Sequence, residues 1–270
     1  MPKVSVIMGV YNGGHRLTKA VDSIMNQTYD NFEFIICDDA SDDNSYLTLK
    51  KLRESNDRII LIKNEKNMGL AAALNNCLEI AKGEYIARMD DDDDSHPTRF
   101  EKQVDFLDKY DDYAIVGSSV NMCDDGGVWG KLIYSGERSS LDIYKRKTFF
   151  HPTVMIRKQP LLSVNGYTVD QYTKRTEDFD LWVKMYHAGY KGYNTEEVLL
   201  DYYEGQSSYK KRRYNYRIDE YKIRKKARGL LNIPFRYSIF ELKPLIVGLI
   251  PDKFMKLYRL KKFGKIRGKI

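Results

Sequence analysis

The stretch Glu84-Tyr85-Ile86-Ala87-Arg88-Met89-Asp90-Asp91-Asp92-Asp93-Asp94 decides how the rest of the chain is read. A strand-like segment, Glu84 to Met89, runs into five consecutive aspartates. Adjacent carboxylates repel, and each raises its neighbours' cost of ionising. A folded chain carries such a cluster when water solvates it or when a cation sits among the charges. Hard divalent cations such as Mg²⁺ or Mn²⁺ take oxygen ligands, commonly one or two carboxylates plus substrate phosphates. The run therefore has two readings, a solvated acidic loop and a metal-bridged phosphate site. Its surroundings decide between them.

Working outward, Val4 to Met8 reads as a buried strand, followed by Leu17, Ala20, Val21, Ile24 and Met25 at helical spacing. Phe32 to Cys37 is a second apolar strand and ends in Asp38-Asp39. A short helix through Leu47, Leu49 and Leu52 leads to a third strand, Arg58 to Lys63. Gly69 opens a helix through Ala73, Leu74, Cys77, Leu78 and Ala81, with Gly83 expected as its left-handed C-terminal residue. Pro97 suits the first turn of a further helix carrying Phe100, Val104 and Leu107. Alternating helices and continuously apolar strands predict an α/β fold, a mostly parallel central sheet with helices on both faces. Ligands of such sheets sit outside the carboxyl ends of the strands, where Asp38-Asp39 and the aspartate run both fall. Beyond about residue 110 the alternation breaks down. Tyr113 to Ser118 and Val154 to Arg157 read as strands, Cys123 to Gly130 as turn-like, and Phe179 to His187 as a helix behind the acidic pair Glu177-Asp178.

With 270 residues, 42% hydrophobic and 31% charged, the chain suits one good core and a smaller appendage. Cys37, Cys77 and Cys123 lack metal-ligand spacing and read as reduced thiols. Met1-Pro2-Lys3 leads straight into a strand, so no signal peptide is expected and the expected location is cytoplasmic. The net charge of +7 hides an asymmetry: residues 206–270 carry 20 Lys and Arg against 4 Asp and Glu, leaving residues 1–205 at −9. This basic, aromatic-bearing tail is expected to form a helical amphipathic extension. It either lies on an anionic membrane surface, making the protein peripheral on the inner face of the cell membrane, or packs back on the body. Its most apolar part, Ile239 to Ile250, is too short and too polar to span a bilayer. Nucleic acid is not an expected partner, because the acidic body repels phosphate backbones and no such motif appears.

An ordered series of motifs resembles the family 2 glycosyltransferases of bacterial capsule, exopolysaccharide and O-antigen synthesis. The series runs Val4-Ser5-Val6-Ile7, Tyr11-Asn12, Ser23-Ile24 with Gln27-Thr28, Phe34-Ile35-Ile36 and Asp38-Asp39-Ala40-Ser41. It continues with Asn67-Met68-Gly69-Leu70, Gly83 to Ala87, Met89 to Asp93, His151-Pro152-Thr153-Val154-Met155 and Thr176 to Trp182. The resemblance covers residues 3–205. It implies a GT-A fold over 1–205, with a nucleotide-sugar-binding half at 1–110 and an acceptor-binding half at 111–205. It further implies an inverting, metal-dependent transfer from a nucleotide-sugar donor, UDP-hexose or UDP-N-acetylhexosamine, to a glycan or lipid-linked glycan acceptor.

By motif position the resemblance implies that Tyr11 packs on the base, Asp39 accepts from it, and Asp90 and Asp91 belong to the nucleotide-sugar site. It likewise implies that Asp92 binds the Mn²⁺ or Mg²⁺ that bridges the diphosphate, and that Asp178 is the general base. Asp91 and Asp94 stand where small or apolar residues are usual, Ala40 replaces a glycine, and five identical residues let the register slip by one.

Such a transfer needs a carboxylate to take the acceptor hydroxyl's proton and a cation to neutralise the leaving diphosphate. Unlike a retaining glycosidase, it needs no carboxylate nucleophile. Each candidate also has a structural reading. Asp178 can cap the helix that follows. Trp182 is either a sugar-stacking platform for the acceptor or core. His151 and Glu177 either line the acceptor or diphosphate pocket or are structural. Two rival functions remain, a sugar-phosphate nucleotidyltransferase and a non-catalytic cation- or membrane-binding adaptor. The first calls for a Gly-rich, basic loop after the first strand, of which Val10 to Arg16 is a poor version.

Overall fold

The computed structural model describes residues 1–205 and 214–250. The strands are β1 (Val4–Val10), β2 (Phe32–Asp38), β3 (Ile59–Lys63), β4 (Tyr85–Arg88), β5 (Asp94–Ser95), β6 (Tyr113–Asp124), β7 (Gly127–Leu132), β8 (Gly136–Glu137), β9 (Met155–Arg157) and β10 (Lys191–Tyr203). They form one sheet in the order β3-β2-β1-β4-β9-β6-β10-β5, with β7 on β6 and β8 on β10. The pairings β3–β2, β2–β1, β1–β4 and β6–β10 are parallel. Strand β9 runs antiparallel between β4 and β6. The break in alternation after residue 110 is thus a change from parallel to mixed pairing within one sheet.

The helices are α1 (Leu17–Met25), α2 (Ser45–Glu54), α3 (Leu70–Ile80), α4 (Arg99–Lys109), α5 (Ser140–Tyr144), α6 (Lys158–Ser163), α7 (Glu177–His187), α8 (Tyr214–Leu230) and α9 (Ile239–Gly248). The side-chain alternation of the strands sorts them into two layers. Val4, Val6, Met8 and Val10 face α1 and α4 through Leu17, Val21, Phe100 and Val104. Ile7, Ile35, Cys37 and Ile86 face α3 and α7 through Ala73, Leu74, Phe179 and Trp182. Ile223 and Ala227 of α8 belong to this second layer, so the described part of the tail packs against the body. The three cysteines are buried free thiols, joined by no disulfide.

Several local expectations need correction. Cys123 to Gly130 is no loose turn: β6 and β7 form a hairpin across Asp125-Gly126. The Asp/Gly content that suggested a turn belongs to its two-residue tip. Pro97 lies before the helix, which begins at Arg99 behind Thr98. Gly83 is not a left-handed cap, since α3 leaves through Ala81 in an extended conformation. A Cβ at Gly83 would lie 2.4 Å from the Ser5 backbone nitrogen. The glycine is required by the close approach of this loop to β1, where its N–H donates to Ser5 Oγ at 2.7 Å.

Gly83→Ala should therefore lower stability by about 2–3 kcal/mol through overpacking against backbone. Gly229→Ala, in helix with open space around it, should be neutral or stabilising by roughly 0.5–1 kcal/mol. Urea unfolding of both variants checks the contrast.

Candidate active site

The aspartate run leaves the carboxyl end of β4 and is held on all sides. Met89 N–H donates to Ile7 O, and Arg88 N–H to Val154 O. The Arg99 guanidinium is fully buried and donates to Arg88 O at 2.8 Å and Val154 O at 3.3 Å. Burial and the nearby Arg88 charge pull it down to about 9. Gln27 braces the far end of the loop, donating to His96 O at 2.9 Å and accepting from Phe100 N–H at 3.1 Å. The Gln27-Thr28 motif is thus a structural clasp. Arg16 Nε donates to Asp92 O at 2.7 Å, and Lys19 pairs with Asp94.

Within this frame one carboxylate oxygen from each of Asp90, Asp92 and Asp93 lies within 4.8 Å of the others. Asp93 is 1% exposed; its Oδ1 accepts from Tyr203 N–H at 2.8 Å, and its Oδ2 is buried without a hydrogen-bond partner. Burial and the charges of Asp90 and Asp92 push its carboxyl well up. Asp91 stands outside the triad, against the β1–α1 turn, where a Cβ on Gly13 would lie 3.1 Å from its Oδ2. Burial first, then Asp92 and Asp90, push it up to about 7. An all-oxygen triad with an orphaned carboxylate oxygen fits a hard divalent cation. Asp90, Asp92 and Asp93 are the residues that would hold it; the sequence named Asp92 and left the register of the run open.

Asp39, 2% exposed, accepts from Asn64 Nδ2 at 2.7 Å, Met68 N–H at 2.8 Å and Gly69 N–H at 2.7 Å. It therefore anchors the entrance of α3. A carboxylate offers about four acceptor positions, so Oδ2, which takes a single one of these bonds, keeps capacity for a base N–H. Tyr11, 47% exposed, stands beside it at the end of β1.

The second acidic group stands at the N-terminus of α7, within reach of the same Arg88 charge. Glu177 is pushed up to about 7 by burial and by Asp178 beside it, with Arg88 and Arg175 acting the other way. Asp178 faces Arg146, whose Nη2 lies 3.4 and 3.5 Å from its two oxygens. That contact is longer than a tight charge-assisted bond, which leaves Asp178 free to accept from a hydroxyl. It makes no helix-capping bond; Thr176 is the N-cap residue. Arg146 also reaches Glu220 of α8 at 3.4 Å, and Glu220 is clamped by Arg217 and Arg224, each at 2.9 Å. The tail thus supports Asp178 through one arginine, a link with no motif in the sequence.

Arg88 joins the two acidic groups. It is 2% exposed and pairs through Nη2 with Asp90, while Nε and Nη1 are buried without partners. Its charge acts on Asp91, Asp93, Glu177 and Tyr167. A charged residue within the apolar run before the aspartates was the available signal, and the sequence reading passed over it. His151, 9% exposed, shares a 2.8 Å hydrogen bond with Tyr167 Oη. Burial and Arg88 pull its imidazole well down, so it is neutral.

Trp182 requires a correction. It is fully buried, edge-on to Phe149 at 5.3 Å and His151 at 5.9 Å. A ring with no exposed face cannot stack on a sugar, and Trp182 is core.

The raised carboxyls carry a pH consequence. Asp91, about 7 when folded against 3.8 ordinarily, is proton-bound in the folded state where the unfolded chain has released its proton. Stability contributed below pH 4 is therefore lost as pH rises towards 7. A cation among these groups favours their ionised forms and is itself favoured at higher pH. The rise in Tm on adding Mn²⁺ should be larger at pH 7.5 than at pH 5.0, and should shrink in Asp93→Asn; thermal denaturation at the two pH values measures it.

Comparison with known proteins identifies the family. Residues 5–165 match the glycosyl transferase family 2 description. EpsE of Bacillus subtilis, whose glycosyltransferase assignment is itself provisional, is 40% identical over 97% of this chain and 94% of its own. An Escherichia coli UDP-Gal:α-D-GlcNAc-diphosphoundecaprenol β-1,3-galactosyltransferase is 31% identical over 95% of this chain and 92% of its own. Among solved structures, Staphylococcus aureus TarS 1–349 in complex with UDP superposes with a TM-score of 0.67 at 20% identity, over 98% of this chain and 74% of that one. The mannosyltransferase PcManGT of Pyrobaculum calidifontis, in complex with GDP-Man and Mn²⁺, gives 0.65 at 17% identity, over 97% and 80%. The sheet topology is that of a GT-A fold, and the chain is an enzyme of the glycosyl transferase family 2.

Proposed function

We propose that this enzyme is an inverting, metal-dependent glycosyltransferase of surface polysaccharide synthesis, moving a hexose or N-acetylhexosamine from a UDP-sugar to a lipid-linked glycan. The observation that carries this reading is the placement of the Asp90–Asp92–Asp93 triad and the Glu177–Asp178 pair around the buried Arg88. Support for the partners comes from relatives. The galactosyltransferase above is named for a UDP-sugar and a diphosphoundecaprenol-linked acceptor, and one TarS structure holds UDP-GlcNAc.

In this reading Tyr11 packs on the base and Asp39 Oδ2 accepts from its imide N–H. Asp90, Asp92 and Asp93 would hold Mn²⁺ or Mg²⁺, whose chemistry would be to supply positive charge to the departing diphosphate. Arg88 adds fixed positive charge at the same place, its spare N–H groups serving as donors to the developing anion. Asp178 takes the proton from the acceptor hydroxyl as that oxygen attacks the anomeric carbon. Arg146 orients Asp178 and offsets the charge of Glu177 beside it. The neutral His151, bonded to Tyr167 Oη, adds no charge of its own beside Arg88. The nucleotidyltransferase and adaptor alternatives lose ground to the family assignment.

With UDP-sugars and Mn²⁺ but no acceptor, slow nucleotide release should occur for one donor and stop when the metal is chelated. Asp92→Asn and Asp93→Asn should each lower release at least roughly 100-fold. Asp178→Asn should lower it similarly while leaving UDP binding within about twofold, since water replaces the acceptor at the base. Metal-independent release, or unchanged release in Asp178→Asn, would contradict the assignment.

A further inference from the structure

Helix α9 is built inside out for a protein bathed only in water. Its inward side is anchored by a buried carboxylate: Glu241 is 6% exposed and accepts from Arg228 Nε at 2.5 Å. Arg224 Nη1 donates to Phe240 O at 3.2 Å, and Phe240 packs on the core beside Tyr144. These bonds fix which face looks out. That face carries Ile239, Leu242, Ile246 and Leu249, exposed by 63%, 45%, 58% and 74%. Their spacing of three, four and three residues places them on one stripe. Phe235, in the 3₁₀ turn just before the helix, is 75% exposed and extends it. A surface helix ordinarily turns its polar side to solvent, and a contiguous outward apolar stripe marks an interaction surface.

We propose that this face of α9 seats the enzyme in the headgroup layer of an anionic lipid membrane, lying in the plane of the interface. Charge selects the lipid surface over other occupants. Arg236 and Lys243 are exposed beside the stripe, and the sequence from Pro251 to Ile270 adds 8 Lys and Arg against one Asp. A second copy pairing face to face about a two-fold axis would bring these like charges together. Anionic headgroups complement them while the acyl boundary takes the apolar side chains. The helix is about 15 Å long at 1.5 Å per residue, half of what a bilayer core requires. No helix among the described residues is long and apolar enough to cross a membrane. Lying in the interface is the mode left to it.

The position suits the chemistry. Helix α9 packs on α8, and α8 supplies the Glu220 that supports Arg146 and, through it, Asp178. A lipid-seated α9 therefore stands one helix from the general base, where a lipid-linked acceptor arrives. That last step rests on the proposed function; the docking itself does not, so a failure of one leaves the other standing.

The test is flotation of the full chain with vesicles of phosphatidylglycerol and phosphatidylcholine, and with phosphatidylcholine alone, in 150 mM salt. The double variant Ile246→Glu/Leu249→Glu runs alongside, its folding checked by acceptor-free nucleotide release and by Tm. The wild type should float with the anionic vesicles and at least roughly tenfold less with the neutral ones. The variant should lose roughly tenfold or more of the anionic binding, with release and Tm unchanged. Absence of wild-type binding, or equal binding by the variant, would overturn the proposal. So would a wild-type dimer that the variant dissociates without any effect on vesicle binding.

Discussion

Everything in this protein is arranged around the mutual repulsion of carboxylates at the end of β4. Three of them converge to within 4.8 Å, and two more sit side by side at the start of α7. In water such a concentration of like charge would be relieved by solvation; in a partly buried crevice it must be opposed by fixed positive charge or by protons. The fold supplies both. Arg88 is buried between the groups, Arg16 and Lys19 hold the outer side of the run, and Arg146 faces Asp178. Burial first, and the neighbouring carboxylates after it, push Asp91 and Glu177 up to about 7. In the proposed function, a cation held among these carboxylates would offset a cost the fold already carries.

Rigidity around the cluster is a requirement of the same constraint. The aspartates cannot relax apart because Arg99, Gln27 and the β4 backbone pin the loop to two neighbouring elements each. Gly83 lets the preceding chain approach β1 closely. A site built on strand ends and buried side-chain clasps keeps its charges close enough to share one cation. Gln27, which the motif series contains without a role, holds the far end of the aspartate loop in place.

What the sequence revealed follows from which forces are local. Continuous apolar strands and helical spacing exposed the βα architecture through β4, because each element's burial is written in its own residues. The aspartate run and the Glu177-Asp178 pair were legible for the same reason. Long-range partnership was hidden. Nothing near Asp178 announces that Arg146, 32 residues before it, will face it, or that Glu220, 42 residues after it, will pair with that arginine. Trp182 stayed open between platform and core because helical spacing does not say which neighbour covers a ring; its full burial decides for core. The membership of Asp93 in the triad was masked by five identical residues, and geometry alone distinguishes it from Asp91. The tail's composition suggested a membrane, but the helix α9 was passed over as merely too short to span, since its anchoring glutamate and outward stripe emerge only in three dimensions.

The central claim is that the aspartate run and Asp178 serve one reaction centre. A crystal structure with Mn²⁺ and a non-hydrolysable UDP-sugar, read from the manganese anomalous signal, tests it most directly. The account predicts one manganese among the carboxylate oxygens of Asp90, Asp92 and Asp93, bridging to the diphosphate, with the anomeric carbon turned towards Asp178. Manganese bound elsewhere, or a sugar directed away from α7, would contradict it.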